Sequence, residues 1–368
     1  MRRASVHLIV DTEGLDDMKR FSRQIIRRSV ASVALVCTIA AASGCGGSGS
    51  KSEAGQAAKK GVTVALDWTP NTNHIGAFVA DQLGYYANAG LKVKFIPYAS
   101  TQPELIVAKH RADFGFSYQA GTAYARSAGG DVRQVFANIA KNQYAISVRG
   151  NQGGISSPKQ LDGKTYAGFG TPDEGPELKF VIKKDGGSGK FRTVMLNSSA
   201  YQAVYGGQAD FTISVSTWEG IEAKLLGKPM RYFEFSDYGL PSQYSSAIVS
   251  SDRYLKANPE TAKAFLAATQ SGYQYAKDHP EEAAKLLVKA NPQTLKNPEL
   301  VTLSAKMLAA GGYYGGADGQ IGHVDPSVWS NYGDFLQANK LLFGSDGKPL
   351  AKAPDWSSYY TNAYLPAQ

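Results

Sequence analysis

Residues 62–98 constrain this chain most, because they spell out a strand, a helix and a second strand with a polar turn between the first two. Residues 62–66 alternate β-branched with small apolar side chains, which reads as a short buried strand, and Pro70 with Asn71 stops it. A helix follows. Ile75, Phe78, Val79, Leu83 and Tyr86 recur at helical spacing, Thr72 or Asn73 can cap its start, and Gly90 ends it. Residues 92–98 form the second strand. The first strand therefore ends in a turn crowded with Asp67, Trp68, Asn71, Asn73 and His74, at the carboxyl edge of a sheet, where α/β proteins hold ligands.

The alternation continues. Residues 102–112 read as helix, 113–118 as a strand carrying Phe114, Phe116 and Tyr118, 120–128 as a small-residue helix, and 132–139 and 144–148 as strands. An Asn-Gln-Gly-Gly break at 151–154 precedes a restart: strand 166–169, a tight turn at 170–176, helix 177–184, then strand, helix, strand and helix through 226. Strands at 230–235 and 245–250 return the chain, and the remainder is mostly helical. The run Lys109-His110-Arg111-Ala112-Asp113-Phe114 is loosely echoed by Gly206-Gly207-Gln208-Ala209-Asp210-Phe211. Copies about a hundred residues apart indicate two similar lobes rather than a solenoid. The expected fold is α/β, with two parallel-sheet lobes joined by a two-strand hinge and the ligand cleft between them. Residues 61–150 plus 246–368 make the first lobe and 151–245 the second.

Length and charge bound the function. A chain of 368 residues has room for two cores. The net charge of +8 is spread out, without a basic stripe interleaved with aromatics, so no nucleic-acid partner is expected. Residues 1–45 form a leader in which Lys19, Arg20, Arg23, Arg27 and Arg28 precede an apolar run at 30–42, the pattern of a signal peptide. Ala42-Ser43-Gly44-Cys45 resembles a bacterial lipobox, which would make a lipidated Cys45 the first mature residue; the alternative is A-x-A cleavage with Cys45 unmodified. The polar segment 46–60 then serves as a flexible tether. Arg27-Arg28 is either a twin-arginine export signal or part of a basic n-region, and translation starts at Met1 or Met18. Cys37 lies within the removed segment, so no disulfide is expected. The expected location is outside the cytoplasmic membrane, held there by a lipid anchor.

Several motifs together resemble one family. They are Leu66-Asp67-Trp68-Thr69-Pro70-Asn71-Thr72-Asn73-His74, Gly84-Tyr85-Tyr86, Ala89-Gly90-Leu91 and Trp218-Glu219-Gly220-Ile221-Glu222-Ala223, with helix and carboxyl-terminal motifs at 258–260, 264–269 and 361–366. This set is similar to the substrate-binding proteins of ABC importers for thiamine pyrimidine precursors. The resemblance implies a type II periplasmic-binding-protein fold and a monomer. It also implies capture of a hydroxymethyl- or formylamino-pyrimidine and its delivery to a permease and associated ATPase. The helix motifs are shared with nitrate-, sulfonate- and taurine-binding relatives, and another flat ring such as a flavin remains an alternative. The family also extends to eukaryotic pyrimidine synthases that use a lysine, a histidine and a cysteine-rich iron motif. Here the comparable stretch is Ser117-Tyr118-Gln119-Ala120-Gly121, which has none of these. His74, His110, His279 and His323 show no metal spacing, and no nucleophile or phosphate-loop motif occurs, so neither catalysis nor a cofactor is expected.

An aminopyrimidine calls for an aromatic clamp and a few carboxylates or amides. Trp68 either stacks on the ring or packs under its helix. Asn73 and His74 either contact the ligand or cap the helix, and Asp67 either accepts from an amine or fixes the turn. Tyr118 and Gln119 end a strand of the same lobe. From the second lobe come Thr171 and Glu174, in a turn opening a helix, and Trp218 with Glu219 at the start of another. Glu219 is the leading acceptor, and its alternative role is to stabilise that helix's N-terminus.

Overall fold

The computed structural model describes residues 59–99, 101–150, 154–316 and 318–366. The leader, Cys45 and all but the end of the tether lie outside the described residues.

Among the described residues, ten strands form two five-stranded sheets. The first contains β1 (Lys60–Ala65), β2 (Leu91–Ile96), β3 (Phe114–Ser117) and β4 (Arg133–Ile139). The second contains β5 (Tyr144–Arg149), β6 (Thr165–Gly168), β7 (Arg192–Met195), β8 (Phe211–Val215) and β9 (Met230–Glu234). β10 (Ser246–Ser250) rejoins the first sheet. The orders are β2-β1-β3-β10-β4 and β7-β6-β8-β5-β9, so the sheets repeat one plan. In each, the strand arriving from the other lobe lies between the third and fourth strands and runs antiparallel to both neighbours.

Two expectations are corrected by this topology. The sheets are mixed rather than wholly parallel, because β5 and β10 enter their sheets from the edge at which the other strands end and so run antiparallel to their neighbours. The chain also changes sheet between Ile139 and Tyr144, not after Gly150, so β5 belongs to the second sheet. The carboxyl-terminal segment, assigned to the first lobe, is shared. Trp329, Tyr332, Phe335 and Trp356 pack in one cluster with Ile146, Leu178 and Phe211 of the second lobe and with Ala120 and Ala137 of the first.

The apolar strands arise from burial on both faces. Val62 and Val64 join one core cluster while Ala65, pointing the other way, joins another. The echoed motif occupies equivalent places: Phe114 opens β3 and Phe211 opens β8. In both lobes the preceding aspartate ties back to the first strand, through Asp113 accepting the Thr63 N–H and Asp210 accepting the Thr165 N–H, each at 2.8 Å. The helix Ile75–Gln82 crosses the helix Pro259–Asp278 at a glycine pair. A Cβ on Gly272 would sit 2.0 Å from the Gly76 carbonyl oxygen, so only glycine permits this approach.

Candidate functional site

A cleft of about 570 Å³ lies where the carboxyl ends of both sheets face each other. Asp67 and Trp68 follow β1, Tyr118 follows β3, Phe169 follows β6, and Trp218 and Glu219 follow β8. Tyr144 opens β5 and Ser245 precedes β10, because the two antiparallel strands begin where the others end. Of the ten ligand-contact candidates, Asp67, Trp68, Asn73, Tyr118, Thr171, Glu174, Trp218 and Glu219 line this space.

His74 and Gln119 do not, and their expected place in the cleft is corrected. His74 is fully buried; its Nδ1 accepts the Asn71 N–H at 3.2 Å, so its ring proton sits on Nε2 and is donated to Asp67 Oδ1 at 2.7 Å. Its ring also meets Phe116 edge-on. The cap of this turn is Asn71, whose side chain accepts the Asn73 N–H, rather than Thr72 or Asn73. Gln119 is equally buried. Its Nε2 donates to the Val328 and Trp329 carbonyls and its Oε1 accepts the Tyr244 N–H, tying three segments beneath the cleft. His74 lies in the turn after β1 and Gln119 just after β3, as expected, but their side chains turn into the protein.

The aromatic walls are arranged symmetrically. Trp68 after β1 packs on Tyr98 after β2, with centroids 5.1 Å apart; Phe169 after β6 packs on Tyr201 beyond β7, with centroids 5.2 Å apart. Tyr98, Phe169, Tyr201 and Tyr144 escaped the sequence reading. The repeated strand order contains a signal for the first three, since each follows one of the two strands that begin its lobe.

Polar contacts hold the second lobe's wall. Glu174 accepts four hydrogen bonds of 2.8–3.0 Å, from Tyr166 Oη, the Phe169 and Thr171 N–H groups and Thr171 Oγ1, which shape the loop after β6. Its role is therefore to position that loop. Glu219 takes the Val215 N–H at 3.1 Å, and burial pushes its carboxyl up to about 8. It can hold a proton near neutrality and offer both a donor and an acceptor to an amidine-like ring edge. Burial likewise raises Asp173 to about 6 and Glu104 above its ordinary range. Glu177 is driven up by burial and then by the neighbouring Asp173.

The lobes meet through specific pairs. Tyr124 Oη donates to Asp173 Oδ1 at 3.1 Å and Tyr332 Oη to Glu177 Oε1 at 2.7 Å; the same Glu177 oxygen accepts Gln243 Nε2, from the second crossing, at 2.7 Å. In the first crossing, Gln143 is fully buried. Its Nε2 donates to Asn73 Oδ1 at 3.2 Å and Thr217 Oγ1 at 2.6 Å, while its Oε1 accepts Ser245 Oγ from the second crossing at 3.0 Å. One side chain thus joins the first lobe's turn, the residue before Trp218 and both hinge segments.

A model of the NMT1/THI5-like family matches residues 71–283. The chain is 29% identical over 287 residues to the formylaminopyrimidine-binding protein of Halalkalibacterium halodurans, a match covering 73% of this chain and 86% of that protein. It is 27% identical over 314 residues to a 4-amino-5-hydroxymethyl-2-methylpyrimidine phosphate synthase of Legionella pneumophila, covering 84% and 93% respectively. Its fold is that of periplasmic binding proteins. The aliphatic sulphonate-binding protein SsuA of Escherichia coli superposes with a TM-score of 0.60 at 16% identity, over 82% of this chain and 91% of that one.

Proposed function

From the premise that this chain belongs to the NMT1/THI5-like family, we propose that it captures a thiamine pyrimidine precursor outside the cytoplasmic membrane and delivers it to an ABC permease. In this reading it is a monomeric lipoprotein held by Cys45, and it binds without catalysis. The observation that carries the reading is the cleft itself, in which aromatic pairs from both lobes and the Glu219 carboxyl converge on a space suited to a flat, amine-bearing ring. Among the described residues no lysine or arginine lines it, which disfavours nitrate or a sulfonate as ligand. The same lining argues against the synthase alternative, whose named product carries a phosphate. The formylaminopyrimidine-binding protein among the relatives agrees with a binding role.

Mass spectrometry of the co-purifying ligand, followed by calorimetry with 4-amino-5-hydroxymethyl-2-methylpyrimidine, tests the proposal. We expect binding at about micromolar Kd, recovery of the ligand chemically unchanged, and a loss of roughly 5- to 150-fold in Trp68→Ala and in Trp218→Ala. No binding by folded protein, or turnover of the ring, overturns it. For the anchor, a palmitate analogue should label the wild type in cells and not Cys45→Ser; equal labelling removes the lipoprotein from the proposal.

A further inference from the structure

The cleft's charge is one-sided. Asp67, Glu104, Asp173, Glu174, Glu177 and Glu219 all line it, and among the described residues no lysine or arginine does. Among the described residues none of the six pairs with a lysine or arginine, and Asp67 accepts from the His74 ring, whose Nδ1 is itself an acceptor. The internal hydrogen bonds divide the group. Glu174 is occupied by four donors, two on each oxygen, and is committed to the wall, whereas Glu177 takes both of its donors on Oε1. Asp67 uses Oδ1 for His74, Glu104 uses Oε2 for Ser117 Oγ at 3.0 Å, and Asp173 is met by Tyr124 at Oδ1 and by Thr171; a carboxylate has about four lone-pair sites, so each of these three keeps acceptor capacity.

A separate observation points to a missing polar partner. Ser214 on β8 lines the cleft, is only 3% exposed, and its Oγ has no hydrogen-bond partner. An unanswered hydroxyl at such a depth costs free energy unless a ligand group meets it. Carboxyls buried without a cation face the same deficit, and burial accordingly raises Glu104 and Asp173.

We propose that the cleft selects an aminopyrimidine whose side arm ends in a protonated primary amine over the same ring with a neutral arm, with Asp67, Glu104 and Asp173 receiving the ammonium. The proposal rests on the pyrimidine-binding reading above and specifies the charge of its ligand. An ammonium brings three donors and no acceptor, which suits carboxylates contributed by both lobes. Because Asp67 and Glu104 belong to the first lobe and Asp173 to the second, the arm would also favour the closed form through its differential contacts with it.

Calorimetry at one pH and salt concentration should compare 4-amino-5-aminomethyl-2-methylpyrimidine with its 5-hydroxymethyl counterpart. The amine should bind roughly 10- to 100-fold tighter. Glu104→Gln and Asp173→Asn, each checked by thermal melting, should lose most of that preference, read as the ratio of the two affinities in each variant. Equal or weaker binding of the amine, or a preference that survives in both folded variants, overturns the inference and leaves the pyrimidine reading standing. Failure of both rings to bind the folded wild type overturns both.

Discussion

Glu219 and Asp173 hold protons that their unfolded counterparts release, and this gives folding a definite pH dependence. Burial lifts Glu219 from 4.5 to about 8 and Asp173 from 3.8 to about 6. The folded state therefore binds more protons than the unfolded chain between each pair of values, and stability falls as pH rises through those windows. The contribution is full below the unfolded values and lost above the folded ones. The urea midpoint should be higher at pH 5 than at pH 8.5, and Glu219→Gln, which cannot ionise, should flatten the slope in the upper window. An unchanged slope in that variant would assign the dependence to other groups. At this scale Trp68, Trp218 and Glu219 were legible from their place after strands. His74 and Gln119 were not, because sequence position locates a residue at a strand end without saying into which environment its side chain turns.

The helix pair behind the first sheet shows how an element depends on what it crosses. Ile75–Gln82 and Pro259–Asp278 approach so closely that Gly272 meets the Gly76 carbonyl, and a Cβ on Gly76 would lie 2.3 Å from the Tyr273 ring. Neither backbone can give way cheaply, since Ile75, Val79 and Phe265 around them are fully buried. Gly272→Ala should destabilise the protein by about 1–3 kcal/mol in urea titration, despite the better helix propensity of alanine. An unchanged or higher midpoint would show that the crossing relaxes. The first helix was visible as apolar periodicity and the second as part of a mostly helical remainder, but their glycines carried no sign of each other, being far apart in the chain.

Two crossings join the lobes, and Gln143 ties them together. Replacing it with leucine would leave Asn73 Oδ1, Thr217 Oγ1 and Ser245 Oγ short of a partner at the hinge. Orphaned buried polar groups cost about 1–3 kcal/mol each, so Gln143→Leu should lose at least about 2 kcal/mol of stability. It should also weaken ligand binding, because Asn73 and Trp218 are set by the same side chain. Urea titration with calorimetry on one preparation checks both effects; wild-type behaviour in both would deny Gln143 this role.

The sequence by itself determined that the chain alternates short buried strands with helices, does so twice, and sets Trp68 and Trp218 after strands, because periodicity and turn chemistry are local properties. It also carried the echo at Asp113 and Asp210, which the structure resolves into equivalent ties to Thr63 and Thr165. Tertiary structure decided the rest. The antiparallel entry of β5 and β10 follows from crossings that enter each sheet at the edge where its other strands end, the second aromatic pair from a strand order that no local pattern states, and the acidity of the cleft from six carboxyls gathered across the chain. Along the sequence those carboxyls are interspersed with lysines and arginines; only folding separates them from those cations and removes the water that would otherwise screen them.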